Sequence, residues 1–386
     1  MSRDDHRIDG HKLHLHPERV AAWRAAGDDW SLLRRIYPIY LEISPIGACN
    51  HRCVFCALDY MGYAPHALPV PLMRDRLAEM GAAGVKSIMF AGEGEPLLHK
   101  GIHALADAAV TAGMDIAFTT NGVFLEEAFC EQTLPRTTWV KVSCNAGTAE
   151  TYARLHGASP RDFHRVLTNC ARAVRWREQV RSGQAPPCTI GLQLLLLPEN
   201  AAEAPELARR CRDELGVDYL VIKPYSQHPA SHTTRYAGLD YADLEPLEEA
   251  LAALEGPGFR IIFRAAAMAR HARPKTYGVC QATPFFWAYV TAAGEVCTCS
   301  AHLGDARFHI GSLHEQGFRE IWEGPRRREN WRLLAGLAGL AGLAGEAPEG
   351  ASRVNCRIYC RNNCRMDAVN QYLWELRHPA PHVNFI

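Results

Sequence analysis

At 386 residues, 48% of them hydrophobic, the chain is long enough for one large domain and a smaller companion. Its 42 basic and 42 acidic residues cancel, so charge gives no reason to expect nucleic acid or a membrane surface as partner. No stretch reads as a signal peptide and Leu192 to Leu197 is too short to span a bilayer, so a cytoplasmic location is expected, with the 14 cysteines as metal ligands and reactive thiols rather than disulfides.

Residues 1–36 carry His6, His11, His14 and His16 ahead of a helical pattern from Pro17 to Arg35, and read as a solvated extension packed on the main domain. From Ile39 the pattern becomes short β-rich runs alternating with helical ones. Strands are expected over 40–45, 87–93, 115–121, 138–145, 188–197 and 219–225, and helices over 72–81, 102–112, 125–131, 148–180 and 202–215. This alternation predicts parallel βα units. Within each strand one parity is apolar, as in Ile116, Phe118, Val140 and Val142, and suits burial under helices. The other parity turns polar toward the C-terminal end: Glu42 and Ser44; Glu93 and Glu95; Thr119 and Asn121; Lys141, Ser143 and Asn145; Gln193; Lys223 and Tyr225. Lys141 and Lys223 stand out because the chain holds only six lysines. A barrel mouth lined this way suits a zwitterionic cofactor and a polar substrate, although Thr119 and Ser44 are equally well explained as satisfied rim groups. By parity or helical placement, Cys130, Cys144, Cys170, Cys188 and Cys211 are core residues.

After Tyr225 the alternation stops. The loop 226–232 leaves the mouth of the last strand, either toward the substrate space or as surface decoration; a helix over 240–254 and a strand over 259–263 form a bridge. Next comes a β-hairpin, 285–291 and 296–299 about Gly294, with Cys280, Cys297 and Cys299 around it. Residues 334–345 repeat Leu-Ala-Gly and read as a spacer, ahead of Cys356, Cys360, Cys364 and a helix over 366–376 with an extended tail pinned to the protein. The expected division is 1–36, 37–240, 241–275 and 276–386.

The rest is organised around Cys49-Asn50-His51-Arg52-Cys53-Val54-Phe55-Cys56, three thiols in a loop after the first strand. Three soft ligands there suit one corner of an iron-sulfur cluster, with one iron left open. A zinc site using His51 or a remote fourth ligand, and a chance cluster of buried thiols, are the alternatives. The Cys-x3-Cys-x2-Cys spacing, with Gly92-Glu93-Gly94-Glu95-Pro96 downstream, resembles the radical S-adenosylmethionine (SAM) enzymes. Cys280-x13-Gly294-x4-Cys299, with Gly311 and a helix at 318–322, resembles the SPASM or twitch domains appended to many of them.

The resemblance implies an α/β fold, a partial (β/α)6 TIM-like barrel with a smaller C-terminal α+β auxiliary-cluster domain. It also implies a [4Fe-4S] cluster on Cys49, Cys53 and Cys56, whose open iron binds SAM and whose reduced form cleaves it to a 5'-deoxyadenosyl radical. Gly92, Glu93, Gly94, Glu95, Asn121, Ser143 and Gln193 are the expected SAM-binding residues, Glu93 or Glu95 holding the amino group. Cys280, Cys299, Cys356, Cys360 and Cys364 are the expected ligands of one auxiliary [4Fe-4S] cluster. The implied reaction is hydrogen abstraction from a carbinol carbon of a sugar or aminocyclitol, as in antibiotic and polysaccharide pathways, with a flavodoxin- or ferredoxin-type electron donor. Epimerisation is expected because thiols are left over, with Cys297 and then Cys364 as hydrogen donor and Lys223 as a further catalytic residue. Dehydrogenation to a ketone, peptide modification and a non-catalytic iron-sulfur or zinc scaffold are the alternatives.

Overall fold

The alternating runs fold as their periodicity dictates. A computed structural model describes residues 4, 6–180, 188–271, 275–335 and 364–384; Cys356, Cys360 and residues 336–345 of the repeat lie outside them. All six expected strands form: β1 (Tyr40–Ile43), β2 (Ser87–Phe90), β3 (Asp115–Thr120), β4 (Thr137–Ser143), β5 (Thr189–Leu196) and β6 (Tyr219–Pro224). Each pairs in parallel with the next, as strands joined through helices do. Their apolar parity, including Ile43, Phe90, Phe118, Val142, Leu192 and Ile222, is buried in one core cluster with Met73, Leu77 and Met80 of helix α3 (Val70–Ala82). Such a side chain contributes about 1.5–3 kcal/mol on burial, which commits the polar parity to the barrel interior.

Two further strands join the parallel set. Residues 241–275, expected as a bridge, supply β7 (Arg260–Phe263), which pairs in parallel with β6. The hairpin strand β8 (Trp287–Val290) pairs in parallel with β1, so the hairpin continues the barrel sheet rather than standing apart from it. Strands β9 (Glu295–Cys297) and β10 (His309–Ser312) then run antiparallel, completing the order β10-β9-β8-β1-β2-β3-β4-β5-β6-β7. β10 was not expected, and β9 ends before Cys299.

Several helices differ from the pattern for local reasons. The run 17–35 divides into α1 (Pro17–Ala26) and α2 (Trp30–Leu33) at Gly27, whose φ is +53°. The run 148–180 divides into α6 (Ala149–His156) and α7 (Pro160–Val180) at Gly157, where φ is +56° and a Cβ would meet the Arg52 carbonyl at 2.3 Å. Helix α4 (Ile102–Thr111) forms as expected, α5 covers Glu127–Gln132, α8 covers Ala204–Arg209 and runs on as a π-helical turn to Leu215, and α9 spans only Glu245–Ala252. Then come α10 (Ala265–His271), α11 (Phe318–Glu323), α12 (Pro325–Leu334) and α13 (Asp367–Arg377). No helix among the described residues is long and apolar enough to cross a membrane.

The N-terminal extension is built in rather than solvated. Val20, Trp23 and Leu33 form a second core with Phe285, Phe286, Trp331 and Leu373. Ahead of them, Asp9 accepts from the Ala266 and Ala267 amides and pairs with Arg264 at 3.2 Å, and Ile8 packs against Tyr219, Val221 and Ile262. The His11 ring lies 4.8 Å from Tyr372 on α13, so the segment runs from the β7 end of the sheet to the last helix.

Candidate active site

The three-thiol loop is held by backbone bonds to α6: Arg52 and Val54 donate their amides to the His156 and Leu155 carbonyls, each at 3.0 Å. The thiols of Cys49, Cys53 and Cys56 are unpaired with one another, half-buried, and open on one cavity of about 550 Å³ at the C-terminal ends of the strands. Burial pushes all three up, Cys49 to about 11, so a metal is needed to make them thiolates near neutral pH. The His51 amide donates to Cys49 Sγ at 3.5 Å.

His156 completes the loop's surroundings. The Asn145 amide donates to its Nε2 at 3.2 Å, which makes Nε2 the acceptor, and burial lowers its basicity to about 3. In the neutral ring the proton therefore sits on Nδ1, 3.5 Å from Cys53 Sγ, and is donated to that sulfur. This bears on the zinc alternative, because donor atoms of His51, Cys53 and His156 all lie within 4.8 Å of one another. With Nε2 occupied and Nδ1 protonated, His156 is a hydrogen-bond donor to a ligand sulfur and not itself a ligand. An N–H···S donor and three thiols facing one open space fit an iron-sulfur cluster. His156 escaped the sequence reading because nothing local ties a helix end to a loop about 100 residues earlier.

The glycine-rich segment follows β2. At Gly92 φ is +116° and a Cβ would lie 2.2 Å from Tyr289 Oη; at Gly94 it would lie 2.2 Å from the Ala48 carbonyl. Both glycines are thus required by packing on the chain itself, whatever they do for a ligand. Glu95 is occupied by protein: Oε1 accepts from Thr120 Oγ1 at 2.6 Å and the Leu97 amide at 3.0 Å, and Oε2 from the Asn121 amide at 2.7 Å. Among the described residues Glu93 accepts from the Ala292 amide alone, at 3.1 Å. Burial, the larger cause in each, raises both carboxyls to about 7. Asn121 Nδ2 donates to Asn50 Oδ1 at 2.7 Å, which ties the end of β3 to the thiol loop.

Gly92, Glu93, Gly94, Glu95, Asn121, Ser143, Gln193, Lys223 and Cys364 line the same cavity as the three thiols. Lys141 lies there on the inward parity, joined by Arg264 and Arg365, which the strand pattern did not single out, and by Ile8 and Gly10 of the extension. The loop after β6 reaches the cavity through Ser226.

Two thiols of the second group, Cys280 and Cys364, sit against α13 and the chain just before it. Cys280 Sγ accepts from Asn370 Nδ2 at 3.4 Å and lies 3.3 Å from Thr283 Oγ1, and Cys280 and Cys299 both pack against Phe308 and Leu334. The Met366 amide donates to Cys364 Sγ at 3.4 Å. Cys297, expected as the leading hydrogen donor, is fully buried with Trp287, Tyr289 and Leu303 and is absent from the cavity lining; the hairpin turns its thiol into the packing layer. Cys364 is the second-domain thiol that meets the cavity among the described residues.

Comparison with known proteins agrees with this geometry. Residues 43–180 match the radical SAM superfamily, and residues 280–361 match the iron-sulfur cluster-binding domain SPASM. The chain is similar to the GTP 3',8-cyclase of Chlorobaculum tepidum, 28% identical over 222 residues that cover 55% of this chain and 63% of that protein. It is also similar to the dTDP-4-amino-4,6-dideoxy-D-glucose ammonia-lyase of Streptomyces venezuelae, 28% identical over 189 residues that cover 46% of this chain and 37% of that protein. The matched region thus spans less than two thirds of either relative. Among solved structures, Streptococcus suis SuiB bound to precursor peptide SuiA has a TM-score of 0.61 at 17% identity, covering 85% of this chain and 70% of SuiB. Native anSMEcpe with bound AdoMet and Kp18Cys peptide has a TM-score of 0.57 at 14% identity, covering 88% of this chain and 98% of that one. Both share the fold. With a three-thiol loop opening on a polar barrel mouth and a second thiol group appended to the same sheet, the chain carries a radical SAM domain over residues 43–180 and a SPASM domain over residues 280–361, which together imply SAM, a [4Fe-4S] cluster and an auxiliary cluster as cofactors.

Proposed function

We propose that the protein abstracts a hydrogen atom from a carbinol carbon of a sugar or aminocyclitol-containing substrate and returns one to the opposite face, an epimerisation. The observation that carries this reading is Cys364: its thiol lines the cavity onto which Cys49, Cys53 and Cys56 open, and it lies outside the SPASM match, which ends at residue 361. In this reading Cys280, Cys299, Cys356 and Cys360 ligate the auxiliary cluster, and Cys364 serves as the hydrogen donor. When bound, the first cluster and SAM supply a 5'-deoxyadenosyl radical able to take the substrate hydrogen.

The chain's own groups do the rest. Cys49, Cys53 and Cys56 hold the cluster. Glu93, with fewer protein donors than Glu95, is free to face the ammonium of SAM, and Glu95 positions the loop. Asn121, Ser143 and Gln193 suit the polar groups of SAM, and Lys223 faces the reacting part of the substrate. Cys364 S–H delivers a hydrogen atom to the carbon radical, and the resulting thiyl regains one electron and one proton from a flavodoxin- or ferredoxin-type donor and solvent. Because a thiol exchanges with solvent, turnover in deuterated water is expected to place one deuterium on the inverted carbon, and Cys364→Ala to stop inversion. The second reading, dehydrogenation, is favoured by the amide bond to Cys364 Sγ, which also suits a cluster ligand. It forms no new C–H bond. A ketone formed without deuterium incorporation would overturn epimerisation and establish that alternative.

The His156 bond has its own consequence. Hydrogen bonds to ligand sulfurs stabilise the reduced cluster. His156→Leu is therefore expected to shift the first cluster's midpoint potential to more negative values, read by EPR-monitored reductive titration; an unchanged potential would refute the bond's role.

A further inference from the structure

The cavity holds side chains of both charge signs. Glu93 and Glu95 line it, the latter tied to the thiol loop through its amide bond to the Ala48 carbonyl at 2.9 Å. Burial and backbone or side-chain contacts account for the behaviour of both carboxyls, and no cation is among the groups acting on them. Lys141, Lys223, Arg264 and Arg365 line the same cavity from β4, β6, the end of β7 and the segment before α13.

Two of these cations are partly neutralised: Arg264 pairs with Asp9 at 3.2 Å, and Arg365 with Glu42 while also donating to Tyr40 Oη. Lys141 has its ammonium 5.6 Å from the Trp139 ring centroid and makes no ion pair among the described residues. Burial lowers it to about 8, and Arg365 and Arg264 are close enough to add to that effect against a smaller opposing pull from Glu42. Cations are crowded here at an electrostatic cost that an anion between them would offset.

We propose that the Lys141, Arg264 and Arg365 group in the cavity is a phosphoryl-binding subsite that holds the diphosphate of a nucleotide-linked substrate. A lone carboxylate is satisfied by one bidentate arginine, whereas a diphosphate presents dispersed charge suited to donors from several elements. Glu93 and Glu95 suit the cationic ammonium of SAM, and the cationic group suits the anionic part of the substrate. The inference rests on the reading of this cavity as the substrate site and deepens it to a nucleoside diphosphate sugar.

The test is calorimetric titration of the anaerobically reconstituted, SAM-loaded full chain with uridine diphosphate, uridine and glucuronate. Uridine diphosphate is expected to bind at least about tenfold more tightly than uridine, and Lys141→Met and Arg264→Gln each to weaken it by about tenfold with uridine unaffected. SAM affinity and circular dichroism check that the variants are folded, and the two independent variants guard against the loss of one. Equal binding of uridine and uridine diphosphate, or wild-type binding by both variants, would overturn the subsite. So would binding of glucuronate with uridine diphosphate silent, which would assign a carboxylate instead. Diphosphate binding of the expected kind with no turnover of any sugar nucleotide would sink the carbinol reaction and leave the subsite standing. Turnover of an uncharged sugar without diphosphate binding would do the opposite.

Discussion

Replacing Cys49, Cys53 and Cys56 together by alanine is expected to reduce 5'-deoxyadenosine formation from SAM to background. The three thiols are what the loop offers to a metal, they open on one cavity, and the rest of the loop is held by backbone bonds to α6 that alanine leaves in place. The variant should therefore fold, with its barrel core unchanged. It should also retain about half of the iron, because the ligands around Cys280 and Cys299 belong to a separate cluster site. Persistent SAM cleavage would defeat the cluster assignment. Complete loss of iron and sulfide would instead defeat an auxiliary cluster that forms independently of the first.

A loss of comparable size, in stability, is expected at Arg327. Its side chain is fully buried on α12 and donates to the Pro284, Arg34, Trp322, Leu33 and Ile36 carbonyls, with its guanidinium 4.1 Å from the Trp322 ring centroid and 5.1 Å from that of Trp30. Leu33, Arg34 and Ile36 belong to the C-terminal end of α2 and the chain just beyond it, where Leu33 also accepts from the Ile36 amide and Ile36 from Trp322 Nε1. One planar fork thus ties the N-terminal helices, the turn leading into β8 and α11 together. Arg327→Met is expected to cost about 3–5 kcal/mol, since it takes the side-chain donor from buried carbonyls, among them those of Pro284, Arg34 and Trp322. Arg327→Lys should recover little, because a compact ammonium cannot match five acceptors spread in a plane. Urea midpoints of the anaerobic holoenzyme check both; a loss below about 1 kcal/mol for the methionine variant would remove Arg327 from this role.

Period-two alternation determined which faces of β1 to β6 are buried, and residue spacing determined the thiol loop, because both are set by neighbours a few positions away. Elsewhere the same local signals were ambiguous. Gly157 inside a long helical run looks tolerable until the Arg52 carbonyl is placed 2.3 Å from where its Cβ would be. The glycines at 92 and 94 read as ligand contacts until Tyr289 and Ala48 occupy the space beside them. The inward lysines were visible from parity; the approach of Arg264 and Arg365 to Lys141 was not, since Arg264 lies just past the bridging strand and Arg365 in the second domain.

What only the tertiary structure decided is everything that depends on pairing at long separation. The parallel docking of β8 on β1, the burial of Cys297 beside a cavity that Cys364 reaches, the proton on His156 Nδ1 and the bonds of Arg327 each join segments more than 40 residues apart, apart from one bond of Arg327 within its own neighbourhood. Such contacts are selected by the packing of whole layers, in which each element must bury an apolar face and satisfy its polar groups at once, and no local period in the chain encodes that joint solution.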